Sequence, residues 1–283
     1  MKIGVITDCF KQSCAEGIKE AAKLQLDGVQ IYATTGEFSP ETLTKEKKSQ
    51  YKKLLHDSGL VVSALCGDMG GYGFEREEDN AVRIEKTKRI IDLAIEFETK
   101  VVTTHIGVIP SDKADPRYYV MLAALTECGR YANSKGVTLA IETGPELATT
   151  LLAFLEDTQG GVGVNLDPAN FVMVTGQDPA AAVFLLKEYI VHTHAKDGVR
   201  YKKKNPTQVY HAFAKGGIEA VNACDGLAEV PLGEGHVDWN AYLGALQKIG
   251  YNGFLTIERE TGEKPEQDII KAVRFLKEKL DMM

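Results

Sequence analysis

The sequence predicts an α/β protein: one (β/α)8 TIM barrel over residues 1–283, with an insertion at 199–230 after the seventh strand. Three observations carry this. Short β-type apolar runs alternate with longer amphipathic segments from end to end, the pattern of repeated βα units around a parallel sheet. The runs number eight, and no linker or low-complexity stretch divides the chain. Residue types suited to binding metal gather at the C-terminal ends of runs four to eight, the rim where a barrel carries its chemistry.

The strands are read at 2–7, 28–32, 60–66, 101–105, 137–142, 161–167, 190–194 and 253–258, and helical stretches at 13–26, 40–57, 80–98, 116–134, 179–187, 238–249 and 265–280. Asp115-Pro116 and Asp178-Pro179 each set an N-cap before a proline at the first helical position. Ser58-Gly59, Lys135-Gly136 and Ile249-Gly250 supply C-terminal glycines. Sixty-three residues separate Ile190 from Gly253, against 24 to 41 between the other strand starts. The surplus, which includes Lys202-Lys203-Lys204 and the aromatic Tyr210-His211-Ala212-Phe213, falls on the active-site face as a lid, an oligomer contact or a solvated loop.

Composition narrows the function. With 33 Lys+Arg against 40 Asp+Glu the net charge is −7, against the basic face that nucleic-acid backbone requires. The longest aliphatic and aromatic run, 180–186, is seven residues where a bilayer span needs about 20. The first residues form a strand rather than a secretory signal, so a cytoplasmic location is expected. Five cysteines without a C-x-x-C pair (Cys9, Cys14, Cys66, Cys128, Cys224) fit reduced, structural thiols. No G-x-x-x-x-G-K-[ST] or G-x-G-x-x-G stretch argues for a nucleotide.

Period-two alternation puts Ala140 with Glu142, Asn165 with Asp167, His192 with His194, and Thr256 with Glu258 on shared strand faces. Four consecutive strands thus bring Glu142, Asp167, His194 and Glu258 to one rim. Three carboxylates in a low-dielectric mouth repel one another unless protonated or bridged by a cation. Three oxygen ligands and one imidazole suit one divalent ion, Mn2+ first, with Mg2+, Co2+ or Zn2+ as alternatives. The bland alternative is that each carboxylate caps a helix or pairs with a lysine. His105 ends strand four and is a candidate for substrate binding or proton shuttling. Lys196 and Asp197 follow the metal histidine as candidate substrate contacts or a surface pair, and Tyr32 and Asp68 end strands two and three. His192, His56, His236 and Trp239 read as structural.

The stretch from Leu232-Gly-Glu-Gly-His-Val-Asp-Trp239, through Ile249-Gly-Tyr-Asn-Gly253, to Thr256-Ile-Glu258 resembles the xylose-isomerase-like barrel superfamily. The likeness is to its sugar isomerase/epimerase group, which includes D-tagatose 3-epimerase, hydroxypyruvate isomerase and inosose dehydratase, and it covers essentially the whole chain. The resemblance implies Glu142, Asp167, His194 and Glu258 as metal ligands, Glu142 and Glu258 as the acid/base pair, and Arg200 as a substrate contact. Where epimerases carry a histidine three residues after the aspartate this chain has Asn170, and six residues after Glu142 it has Ala148 in place of a glutamate, with Glu146 nearby. Asn170 and Glu146 join His105, Arg200 and Lys196 as candidate substrate-binding residues.

These readings predict a metal-dependent sugar or keto-sugar isomerase/epimerase that moves a proton between carboxylates through an enediolate. A lyase or dehydratase on an inosose or 3-keto-glycoside uses the same site, and a non-catalytic sugar-binding barrel is the third alternative. The related apurinic endonucleases need more histidine ligands than the six histidines here supply. A carbohydrate substrate and a homo-oligomer are expected, with neither nucleic acid nor membrane as partner.

Overall fold

A computed structural model describes residues 1–222 and 225–283, and Cys224 lies outside the described residues. Eight parallel strands close into a barrel: β1 (Lys2–Ile6), β2 (Gly28–Tyr32), β3 (Val61–Cys66), β4 (Val101–Thr104), β5 (Thr138–Glu142), β6 (Val162–Leu166), β7 (Ile190–Ala195) and, after a two-stranded insertion, β10 (Phe254–Ile257), which pairs with both β7 and β1. The predicted TIM barrel is therefore observed. Its strands are buried on both faces, hence the near-continuous Val, Ile and Leu of their sequences.

Helices α1 (Cys14–Lys23), α2 (Lys45–Asp57), α3 (Glu77–Glu96), α4 (Pro116–Ser134), α5 (Ala148–Asp157), α7 (Pro179–Leu186), α9 (Trp239–Lys248) and α10 (Pro265–Asp281) surround the sheet. A short turn, α6 (Pro168–Asn170), runs into a π-helical stretch at Phe171–Thr175. Ser13, Asp115, Asp178 and Asp238 cap helices through their side chains, two of them before the prolines singled out above. The interior between sheet and helices is one continuous apolar cluster, running from Val5 and Ile31 to Leu255 and Leu276. Among the described residues no single helix is long and apolar enough to cross a membrane, although the bent pair Pro168–Thr175 and Pro179–Leu186 passes that test when joined.

Two segments depart from the sequence reading. Helix α5 had no place among the predicted stretches, because no capping residue stands at its start: Leu147 is at the N-cap without a side-chain bond. Helix α2 starts at Lys45 rather than near Pro40, because Thr44 accepts from Lys47 N while Ser39 and Thr42 hold the preceding turn.

Around 199–230 the described residues form an antiparallel hairpin of β8 (Asp197–Arg200) and β9 (Leu227–Val230), with helix α8 (Pro206–Asn222) between the two strands in sequence. Gly216 and Gly217 break that helix, and Gly217 takes φ +64, ψ −157, a region open only to glycine. Arg259 locks the hairpin to the barrel, donating to Glu229 at 2.8 Å and to Asp268 on α10 at 3.0 Å.

Candidate metal centre

The strand order places four ligands side by side. β5, β6, β7 and β10 are consecutive neighbours, with Glu142 opposite Asn165, Asn165 opposite His192 and Thr256 opposite His194. At this rim one atom each from Glu142, Asp167, His194 and Glu258 lies within 4.8 Å of all the others, and all four residues are buried. His194 Nδ1 sits 3.1 Å from Glu258 Oε2, 3.5 Å from Glu142 Oε1 and 3.9 Å from Asp167 Oδ2.

Neighbouring side chains aim these atoms. His194 Nε2 meets Gln30 Oε1 at 3.1 Å, and Gln30 donates its own amide to Thr103 Oγ1 at 3.2 Å. Asn165 Nδ2 lies at the same 3.1 Å from Nε2; a cation at the cluster would take the Nδ1 lone pair and leave the Nε2 proton for Gln30. Asp167 does two things at once. Its Oδ1 caps α6, accepting from Ala169 N at 2.7 Å and Asn170 N at 3.3 Å, while Oδ2 is buried without a hydrogen-bond partner. His194 Nδ1 is likewise buried and unpartnered. Orphaned buried acceptors of this kind, converging from four strands, fit a divalent cation.

The electrostatics agree. Burial, with Glu258 and Glu142 nearby, pushes Asp167 up to about 7 despite Lys196 and His194. For Glu258 burial opposes ionisation, yet Lys196 and His194 outweigh it and hold the carboxyl well below its ordinary range. His194 is buried, which disfavours its charged form, but Glu258 and Glu142 draw it well above the usual histidine value. The cluster thus attracts positive charge at its centre.

Around it stand most of the other predicted residues. Burial would depress His105, but Glu142, Asp68 and Glu258 override it and raise it to about 10. Its Nδ1 is 3.2 Å from Asp68 and its Nε2 3.5 Å from Glu142. Asn170 donates to Thr143 O at 3.0 Å and to Glu142 Oε1 at 3.4 Å. Lys196 Nζ bridges Glu258 at 3.1 Å and Glu260 at 2.5 Å. Glu146 is buried with Oε1 unpartnered, and burial pushes it up to about 7.

Arg200 is placed elsewhere. It lines an outer depression with Gly176, Asp178 and His236, and none of the metal ligands shares that depression. Asp197 also leaves the site: its carboxylate accepts from Gly198, Val237 and Gly233 backbone N–H groups and from Trp239 Nε1 at 2.9 Å. It is neither a substrate contact nor a surface partner of Lys196, but the clasp of the 232–239 turn. Trp239 packs edge-on against Tyr242 and Phe275, His192 is held between Asn165 and Thr256, and His56 lies exposed on α2. Lys202 pairs with Asp225 on the surface.

The insertion covers the mouth. Tyr210 and Phe213 of α8 lie over the His105 ring, at 6.0 and 5.8 Å between centroids, and His211 meets Tyr72 edge-on at 5.4 Å. Tyr210 comes so close to the β5 loop that a Cβ at Gly144 would lie 2.4 Å from its hydroxyl. The sequence reading passed over Gln30, Glu229 and Glu260. Period two from Gly28 and from Glu258 was the available signal for the first and last of these, since each puts the side chain on the inward face.

Comparison with known proteins agrees with this geometry. Residues 18–279 match the family described as xylose isomerase-like TIM barrel. A xylose isomerase domain protein from Planctomyces limnophilus superposes with a TM-score of 0.79 at 26% identity, over 98% of this chain and 96% of that one. The probable 3-DHS dehydratase AsbF of Bacillus anthracis gives 0.78 at 19%, over 98% and 99%. A D-tagatose 3-epimerase-like protein gives 0.76 at 21%, over 100% and 98%.

Proposed function

The chain belongs to the xylose isomerase-like TIM barrel family, and from that premise we propose a divalent-metal-dependent enzyme that shifts a proton on a sugar or keto-sugar as an isomerase or epimerase. The single observation that carries the reading is the buried convergence of Glu142, Asp167, His194 and Glu258, with Asp167 Oδ2 and His194 Nδ1 left unpartnered. These four would hold the ion, Mn2+ by preference, whose contribution is to polarise a carbonyl oxygen and lower the cost of charge developing there. Glu142 and Glu258 stand on strands separated by two others, so they reach a bound substrate from different sides.

Glu258, kept ionised beside Lys196 and His194, takes the proton next to the carbonyl, and Glu142 returns one. Return to the same carbon epimerises; return to its neighbour isomerises. His105 and Asn170 hold Glu142 in place and present donors to substrate oxygens, as does Lys196 from the side of Glu258. Glu146 is a further substrate contact, carried in protonated form below about pH 7. The aromatic lid excludes water from the charged intermediate.

A dehydratase is the second reading, favoured by Lys196: its buried ammonium beside Glu258 stabilises charge developing on a departing hydroxyl, which leaves as water with the proton that Glu258 has taken. Solvent-deuterium incorporation into a panel of ketoses and inososes, with Mn2+ added to metal-stripped protein, tests both. Label retained in an isomer or epimer supports the first, label with loss of water the second, and no metal-dependent exchange on any compound refutes both.

A further inference from the structure

The mouth of the barrel divides into two chambers, and the proposed chemistry uses one of them. Beneath the lid, beside the candidate metal ligands, the free space is narrow, about 60 Å³. Over the ends of β1 and β2, a groove of about 440 Å³ opens toward solvent, within the size range of ordinary ligand sites. Glu260 lines both spaces and Glu258 forms the inner wall of the groove. A ligand anchored at the cluster therefore finds its free volume past the Lys196–Glu260 ion pair, in the groove.

The two chambers differ in chemistry. Under the lid, Met173, Val174, Val209 and Phe213 present carbon facing the polar His105, Asn170 and Lys196. The groove presents Asp8, Ser13, Tyr32, Thr35 and Glu37 with one lysine, Lys11. Lys11 Nζ is already donating to the Glu260 carbonyl at 3.0 Å, and Glu37 is the partner of Lys47 at 3.7 Å. A phosphate or carboxylate entering there meets Asp8, Glu37, Glu258 and Glu260 against the single positive charge of Lys11. A neutral polyol meets carboxylate acceptors and hydroxyls that bond to it in either direction.

We propose that this groove is a second sugar subsite: the substrate is a glycosylated keto-sugar whose reacting unit sits at the metal ligands and whose neutral glycosyl neighbour occupies the groove over β1 and β2. The proposal rests on the proton-transfer reading of the cluster and adds the size and charge of the substrate.

Thr35 allows a test, being exposed in extended backbone with no capping bond to lose. Calorimetric titration of the Mn2+-loaded full chain with fructose, and with turanose, isomaltulose and lactulose as glycosylated ketoses, reads binding apart from turnover. At least one disaccharide is expected to bind tenfold or more tighter than fructose. Thr35→Trp, which fills the groove, removes that surplus and leaves fructose within twofold, while Thr35→Ser keeps it. No disaccharide exceeding fructose, or a Thr35→Trp variant weakened equally for both, overturns the subsite. The proton-transfer reading fails on a different signal: no deuterium exchange on any of these sugars, with the disaccharide surplus and its loss in Thr35→Trp both intact.

Discussion

The metal cluster and the lid face each other across one chamber, and they are built by opposite means. The cluster's four side chains leave the ends of neighbouring strands, and strand order and register bring one atom of each within 4.8 Å of the others. The lid reaches the same chamber through side chains: Tyr210 and Phe213 against His105, His211 against Tyr72, Arg259 clasping Glu229. A site on strand ends is held by the whole sheet, whereas a lid on a broken helix is held by a few aromatic contacts. On the proposed function the chemistry belongs to the first and enclosure of the substrate to the second, so substitutions in the two regions should separate into effects on kcat and effects on KM.

The sharpest break comes at the cluster. Glu142→Gln and Glu258→Gln are each expected to lower metal-dependent deuterium exchange by about 10²–10⁴, with far-ultraviolet circular dichroism unchanged. An exchange rate within threefold of the parent in either variant removes that residue from the acid/base pair.

Next is the seam between the regions. Asp197 precedes β8's hairpin partners and accepts from three backbone N–H groups and Trp239 while 1% exposed. Asp197→Ala strands those donors, and urea unfolding should show a loss of about 4 kcal/mol. A loss below about 1 kcal/mol would mean that the 232–239 turn holds the hairpin without its clasp.

Glu146 gives a smaller, pH-dependent effect. Its folded-state carboxyl sits at about 7 against an ordinary value of 4.5, so between those values the folded chain keeps a proton that the unfolded chain releases. Its contribution to stability is full below about pH 4.5, falls as pH rises toward 7, and stays lost above. Glu146→Gln removes the fall, so the variant should gain up to about 3 kcal/mol on the parent between pH 4 and pH 8. Equal pH profiles for the two proteins would show Glu146 ionised in the fold.

The barrel and its four candidate ligands were legible in the sequence because both follow from period: eight apolar runs give the sheet, and counting by two from Ala140, Asn165, His192 and Thr256 gives the candidates. What escaped depended on contacts between segments distant in sequence. Gln30 orients His194 across 164 positions, and Asp197 turns from Lys196 to the 232–239 turn. Arg200 occupies the position that the family likeness implies for a substrate contact, yet it lines the outer depression beside Gly176. The hairpin starting at Asp197 reorients the backbone there, and no local pattern in the sequence announces that turn.

The mildest test falls on the lid itself. Phe213 and Tyr210 lie 6.4 Å apart and share the His105 ring beneath them, so removing one leaves the other in place. Aromatic contacts of this kind contribute about 0.5–1.5 kcal/mol each beyond their buried area, a factor of about two to ten in binding. Phe213→Ala should therefore raise KM for the exchanging sugar by about fivefold and leave kcat within about threefold, since the ring packs on His105 and Tyr210. If kcat fell with KM unchanged, α8 would be setting the position of His105 against Glu142, and the division between rigid chemistry and adjustable enclosure would have to be drawn inside the lid rather than at its edge.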